Sequence, residues 1–94
     1  MQYGLIGERL GHSYSQRIHE RIAPYRYELR SLTPHELEPF IKRGDFKGLN
    51  VTIPYKQAVL PLLDEVAPEA RRMGSVNTIV RRKEKLIGYN TDYN

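Results

Sequence analysis

Strand-like and helix-like segments alternate along this chain, and the alternation restricts its fold more than any other feature. Gln2 to Ile6 reads as a first strand, and a helix is predicted near Gln16 to Ile22. Tyr25 to Arg30 alternates apolar with charged residues as a second strand does, and Lys47 to Ile53 reads as a third. Because parallel strands need crossover connections, usually helices, the order predicts β-α-β units. The fold class is therefore expected to be α/β.

The helix between the second and third strands has the clearest start and stop signals. Thr33 suits the N-cap, Pro34 suits the first helical position, and Glu36 completes a Thr-x-x-Glu capping box. Gly44 is the residue type that commonly follows a helix end. The sequence therefore predicts a helix between Thr33 and Gly44.

The rest of the chain predicts short helices and a hairpin. A short helix is expected after Pro54, limited to under two turns or kinked by Pro61, and a second helical stretch is expected from Pro68 to Met73. Val76 to Arg81 and Lys85 to Tyr89 read as a β-hairpin. We predict a single small three-layer domain with a mixed, mainly parallel sheet, β-α-β units and a C-terminal β-hairpin.

Composition supports one folded unit and excludes several classes of protein. With 94 residues, 39% of them hydrophobic, one domain covering residues 1–94 is expected. The absence of cysteine excludes disulfides and thiolate metal sites and fits a reducing cytoplasm. The three histidines lack close metal-ligand spacing, so no metal is expected, and the short apolar runs exclude a membrane-spanning helix.

The charge balance raises the question of a polyanionic partner. There are 15 Lys and Arg residues against 11 Asp and Glu residues, a net charge of +4. The excess is dispersed, and its only dense cluster, Arg81 to Lys85, contains an acid and falls where the hairpin tip is predicted. The tyrosines are not interleaved with that cluster, so no nucleic-acid partner is expected.

Polar residues follow the predicted strands at the sheet edge where open α/β folds bind ligands. Ser13 and Ser15 stand at a helix start, where N–H groups favour a carboxylate or phosphate, although helix capping is the favoured explanation of these two residues taken alone. Asn50 and Thr52 share one strand face, and Lys56 follows beyond them. Lys56 suits either a solvated position or a proton-transfer group.

A third polar cluster surrounds the predicted hairpin. Asn77 and Thr78 open it, and Asn90, Thr91 and Asp92 follow it. Each alone is an ordinary turn residue. Gathered at strand ends with the preceding groups, these hydroxyls, carboxamides, lysine and carboxylate indicate a pocket for a small polyhydroxylated acid.

Four short motifs occur in a distinctive order. They are His-Ser-x-Ser at 12–15, Asn-Val-Thr-x-Pro-x-Lys at 50–56, Val-Asn-Thr at 76–78 and Asn-Thr-Asp at 90–92. In this order and at these separations they resemble the shikimate dehydrogenase family, over almost the whole chain. Two positions depart from the family pattern: Gln16, where proline is usual, and Ser75, where alanine is common.

The resemblance implies an N-terminal, substrate-binding domain with assigned residue roles. Ser13 and Ser15 would hold the shikimate carboxylate, and Lys56 and Asp92 would form the catalytic pair. The implied ligands of the ring hydroxyls are Asn50, Thr52, Asn77 and Asp92. The implied reaction is the reversible, NADP-linked reduction of 3-dehydroshikimate to shikimate, on the route to chorismate and the aromatic amino acids.

The family binds NADP through a Rossmann domain that would follow Asn94. Neither a Gly-x-Gly-x-x-Gly fingerprint nor a Gly-x-x-x-x-Gly-Lys loop occurs in these residues, so no cofactor-binding residue is expected here. The 94 residues alone are therefore expected to be inactive, and apolar surface left uncovered is expected to favour self-association. A quinate/shikimate dehydrogenase domain and a stand-alone hydroxy-acid binding module remain the alternatives.

Overall fold

The structure is a computed structural model that describes residues 2–8, 10 and 27–91. Six strands and three helical segments occur in these ranges. The strands are β1 (Tyr3–Gly7), β2 (Tyr27–Ser31), β3 (Gly48–Val51), β4 (Glu65–Val66), β5 (Thr78–Arg82) and β6 (Lys85–Tyr89). The helical segments are α1 (Pro34–Arg43), a 3₁₀ turn (Leu60–Leu62) and α2 (Pro68–Met73).

The six strands form one sheet in the order β2-β1-β3-β5-β6-β4. β1 pairs in parallel with both β2 and β3, and β4 pairs in parallel with β6. β5 pairs antiparallel with both β3 and β6. The predicted α/β class, mainly parallel mixed sheet and hairpin are confirmed. The helix predicted near Gln16 to Ile22 lies outside the described residues, as does the start of the second strand before Tyr27.

Helix α1 begins and ends at the predicted residues. The backbone N–H of Thr33 donates to Glu36 Oε1 at 2.8 Å, which is the return bond of the capping box. Gly44 follows the helix with φ 66°, a left-handed conformation that favours glycine. Leu37 and Ile41 are buried on the helix face that joins the hydrophobic core.

The two faces of the sheet differ in burial. Leu49 stands opposite Ile79 in the β3–β5 register, and both side chains are buried in the core. Asn50 stands opposite Thr78 one residue further along, and both are only half-buried. Because side chains alternate along a strand, Asn50 and Thr78 lie on the face opposite the α1-packed core.

The segment after β3 differs from its prediction. Instead of a helix, turns occupy residues 56–59 and lead into the 3₁₀ turn. Val59 N donates to Tyr55 O at 3.1 Å, but Leu60 N donates to Gln57 O and Leu62 N to Val59 O, which are bonds of 3₁₀ type. Pro61 has no N–H to continue the α-helical pattern, so the helix does not propagate.

Strand β4 was not predicted because two residues carry no periodic signal. It forms where its chain runs beside β6: Asp64 N donates to Leu86 O at 2.9 Å, and Ala67 N donates to Gly88 O at 2.8 Å. α2 matches the predicted range from Pro68 to Met73. In the part of the chain that the structure describes, no helix has the length and apolar character needed to cross a membrane.

Candidate substrate-binding site

The loop after β3 carries Thr52 and Lys56 and is held by backbone hydrogen bonds at both ends. Thr52 N donates to Ile6 O at 3.0 Å, which joins the loop to β1. Val76 N donates to Lys56 O at 2.8 Å, which joins it to the segment before Asn77. Two predicted site residues therefore stand on a loop fixed to the sheet rather than on a freely extended segment.

A chain of side-chain hydrogen bonds connects the two predicted asparagines. Tyr27 Oη donates to Asn50 Oδ1 at 2.8 Å, and Asn50 Nδ2 donates to Thr78 Oγ1 at 3.5 Å. Thr78 Oγ1 then donates to Asn77 Oδ1 at 2.9 Å. Asn77 Nδ2 donates to Thr91 Oγ1 at 2.9 Å, and Thr91 N donates back to Asn77 Oδ1 at 3.0 Å. Residues from β2, β3, β5 and the hairpin exit thus meet in one polar cluster.

The backbone of Asn77 is fixed as well as its side chain. Val51 N donates to Asn77 O at 2.8 Å, and Asn77 N donates to Tyr89 O at 3.0 Å. These bonds place Asn77 between β3 and β6, next to the ends of both strands. Little freedom remains in the carboxamide, which makes it a preorganised polar contact.

The hairpin exit is anchored by a buried amide. Asn90, 3% exposed, donates through Nδ2 to Ser75 O at 3.1 Å and to Ser75 Oγ at 2.9 Å. Alanine, which the family commonly has at this position, could supply only the carbonyl. Ser75 therefore adds a hydrogen bond that holds the residue just before Thr91.

A cleft borders Thr52. It measures about 450 Å³, and its lining comprises Leu5, Glu8, Leu10, Thr52, Ile53 and Pro54. The methyl group of Thr52 lies 2.7 Å from the position that a Cβ on Gly7 would take, so glycine at this position makes room for the threonine. A smaller cleft of about 180 Å³ borders Tyr27, Asn50 and Thr78 on the same face of the sheet.

A buried tyrosine supports the loop. Tyr55, 3% exposed, donates from Oη to Leu32 O at 2.6 Å. Burial, with smaller contributions from the carboxylates of Glu8 and Glu36, raises the pKa of Tyr55 above its ordinary value of 10.0. The phenol therefore remains protonated at neutral pH and acts as a neutral anchor next to Lys56.

The structure joins some of the predicted site residues and does not describe others. Asn50 and Asn77 are linked through Thr78, and Thr52 and Lys56 share the anchored loop. The remaining predicted residues, Ser13, Ser15 and Asp92, lie outside the described residues. Sequence reasoning missed the linking roles of Tyr27 and Thr78. The strand order would have revealed Thr78, since it pairs with Asn50 in the register.

The described residues do not fit a dinucleotide cofactor. A pyrophosphate needs a glycine-rich turn whose open backbone leads into a helix N-terminus. At the end of β1 the space beside Gly7 is filled by Thr52, and the side chain of Leu10 is also within 3.1 Å of a Cβ position there. At Gly7 the end of β1 therefore lacks the open backbone that a pyrophosphate requires.

The fold and the polar cluster define a class: an α/β domain with carboxamides and hydroxyls gathered at strand ends, the edge at which open α/β sheets bind ligands. The family model for the "Shikimate dehydrogenase substrate binding domain" matches residues 5–79. The chain belongs to this family.

Individual relatives agree with that assignment. The chain is 46% identical over 99 residues to the shikimate dehydrogenase (NADP(+)) of Clostridium beijerinckii, with 97% of this chain and 37% of the relative covered. Among solved structures it matches shikimate dehydrogenase 1 of Peptoclostridium difficile (TM-score 0.85, 40% identity, 98% of this chain and 37% of that one). It also matches the shikimate 5-dehydrogenase of Thermus thermophilus in complex with shikimate (TM-score 0.87, 35% identity, 98% and 38%). The chain thus spans little more than a third of the length of these relatives.

Proposed function

We propose that residues 1–94 are the substrate-binding domain of an NADP-dependent shikimate dehydrogenase. The enzyme would reversibly reduce 3-dehydroshikimate to shikimate, within the biosynthesis of chorismate and the aromatic amino acids. The observation that carries the proposal is the hydrogen-bonded link between Asn50 and Asn77, because it places two neutral carboxamides at one sheet edge. Carboxamides both donate and accept, which suits the hydroxyl groups of a polyhydroxylated ring.

The residues divide into binding and proton-transfer roles. Ser13 and Ser15 would bind the carboxylate, and the ring hydroxyls would contact Asn50, Thr52, Asn77 and Asp92. Lys56 would donate a proton to the carbonyl oxygen during reduction and accept it during oxidation, with Asp92 as its partner. During reduction the hydride would come from NADPH, held by a separate domain, and NADP⁺ would take it back during oxidation.

The binding test is an NMR titration of this chain with shikimate and with quinate. We expect shikimate to shift the backbone amides of Ser13, Ser15, Thr52, Lys56, Asn77 and Asp92. Cyclohexanecarboxylate is the control ligand, because it keeps the carboxylate and lacks the hydroxyls; it should leave Asn77 unshifted. Shifts confined to Arg81 to Lys85, or no shift at millimolar shikimate, would refute the proposed site.

The titration also separates the remaining alternatives. Tighter binding of quinate than of shikimate would assign the chain to a quinate-preferring enzyme. A stand-alone binding module would bind the acid tightly without any second domain, whereas we expect weak binding and no shikimate-dependent reduction of NADP by these residues alone. Self-association of the chain and its location in the cytoplasm stay predictions.

A further inference from the structure

The hydrogen bonds that join Thr91 to Tyr27 can run in only one direction. The starting point is the backbone N–H of Thr91, which can only donate, so the atom of Asn77 that faces it at 3.0 Å must be Oδ1. Because Oδ1 can only accept, the hydroxyl of Thr78, 2.9 Å from it, must donate its one proton there. One backbone amide thus sets the orientation of both side chains.

The hydroxyl of Thr78 in turn sets the orientation of Asn50. With its proton committed to Asn77, the hydroxyl of Thr78 can only accept from Asn50, so Asn50 Nδ2 faces it across 3.5 Å. Asn50 Oδ1 then faces Tyr27, whose phenol must donate across 2.8 Å. The 3.5 Å step is the longest of the series, so it transmits the orientation least strongly.

We propose that Tyr27 and Thr78 are positioning residues that fix which atoms of Asn50 and Asn77 face the ligand. Asn77 Oδ1 already accepts two hydrogen bonds, from Thr78 and from Thr91, which uses both of its lone pairs. Nδ2 uses one N–H for Thr91 Oγ1. Among the described contacts, the group that remains on Asn77 is the second N–H.

The orientation of the two carboxamides determines which hydrogen-bonding groups a ligand meets, if the proposed function holds. Asn77 can offer a ligand a donor and no acceptor, so the ligand oxygen that meets it must accept a hydrogen bond. Asn50 keeps one N–H and one lone pair, so it can either donate a hydrogen bond to a ligand hydroxyl or accept one from it. The site therefore discriminates at Asn77 against a ligand group that can only donate, such as an ammonium in place of a hydroxyl.

The orientation can be tested without any ligand, on this chain, by nuclear Overhauser contacts of the side-chain NH2 groups. We expect the Asn50 NH2 protons to contact the Thr78 methyl group and not the Tyr27 ring. For Asn77 we expect no strong contact between its NH2 protons and the Thr91 amide proton. Asn50 NH2 contacts to the Tyr27 ring, or strong Asn77 NH2 contacts to the Thr91 amide proton, would overturn the proposal.

The positioning role is tested by shikimate affinity in matched variants. Thr78→Val keeps the shape and suits a strand, so we expect a folded chain that binds shikimate about 3- to 10-fold more weakly. Thr78→Ser restores the hydroxyl and should bind within about 2-fold of the original chain. Tyr27→Phe, the second variant, removes the hydrogen bond to Asn50 Oδ1 and should weaken binding, while the Asn50 NH2 group stays directed at Thr78 by a single, longer hydrogen bond.

Controls separate positioning from loss of stability. Thr33→Val removes an N-cap hydroxyl outside the site, so it should lower stability and leave shikimate affinity unchanged. Unchanged affinity in Thr78→Val, or failure of Thr78→Ser to restore it, would overturn the positioning role. If the original chain bound no shikimate, the proposed function would fail, while the ligand-free contacts would still decide the orientation.

Discussion

The backbone carbonyl of Lys56 accepts a hydrogen bond of 2.8 Å from the amide of Val76, a fully buried residue directly before Asn77. The bond connects two parts of the proposed site that are 20 residues apart in the sequence. Because it uses backbone atoms, it does not depend on the lysine side chain. Chemistry at Lys56 can therefore be altered without releasing the loop.

Replacing Lys56 by methionine tests its proposed proton-transfer role, in the proposed enzyme that joins these residues to a cofactor domain. Methionine keeps most of the stem and removes the ammonium, so kcat should fall by roughly 10²- to 10⁴-fold. Shikimate affinity should suffer less, and stability should change by less than about 1 kcal/mol because the backbone anchor remains. Steady-state kinetics and chemical denaturation measure the two effects.

The matched control is Lys42→Met, an exposed lysine in the last turn of α1 and outside the site. It should leave kcat unchanged. Near-normal kcat in Lys56→Met would show that this lysine is not the proton-transfer group. A raised KM with unchanged kcat would instead show that Lys56 binds the substrate and the transition state equally well. Another group would then have to serve as the general acid.

Asp92→Asn in the same enzyme tests the second member of the proposed catalytic pair. The change keeps the size and a hydrogen-bonding carbonyl but deletes the charge. If the carboxylate both contacts the ligand and assists Lys56, kcat should fall and KM should rise together. An effect on KM alone would leave Asp92 a binding residue without a part in proton transfer.

Tyr55→Phe should make stability less dependent on alkaline pH. The phenol has a raised pKa in the folded chain, so above about pH 10 the unfolded state loses its proton first and binds fewer protons than the native state. The stability that this group contributes to the original chain is therefore fully present below about pH 10 and falls as pH rises towards the folded-state pKa.

The variant loses the hydrogen bond to Leu32 O, which should cost about 1–3 kcal/mol near neutral pH. That difference should shrink above about pH 10, because phenylalanine cannot ionise. Urea denaturation at a series of pH values measures it. A difference that stayed constant through the alkaline range would contradict the assigned role of burial.

Gly88→Ala should destabilise the chain by steric overlap. A Cβ at the buried Gly88 would lie 2.8 Å from Cγ2 of the fully buried Val76 and 2.5 Å from Cδ1 of the half-buried Leu63. Overpacking of this kind costs about 1–3 kcal/mol. Equilibrium denaturation should show a lower midpoint with an unchanged slope.

Gly48→Ala is the matched control for that substitution. Gly48 is also a strand glycine, but the nearest atom to its Cβ would be Tyr3 Cδ1 at 3.3 Å, on a half-buried side chain that can shift. We expect a change within about 0.5 kcal/mol. Equal losses in both variants would mean that glycine flexibility, and not packing under β6, causes the effect.

Signals confined to a few neighbouring residues predicted much of this fold correctly. The capping box at Thr33 and Glu36 marked the start of α1, and Gly44 marked its end. Local strand signals predicted β1, β2, β3 and the hairpin of β5 and β6, because strand periodicity depends on nearest neighbours along the chain. The motif order supplied the family and the candidate site residues.

Other features depend on residues brought together from distant parts of the sequence. β4 exists because its two residues meet β6, and Thr78 reaches Asn50 because β5 lies beside β3 in the sheet order. Tyr27 reaches Asn50 although β1 stands between their strands. Pairing register and strand order are properties of the assembled sheet, and no local pattern encodes them. The polar chain through the site, and with it the orientation of both carboxamides, follows from that assembly.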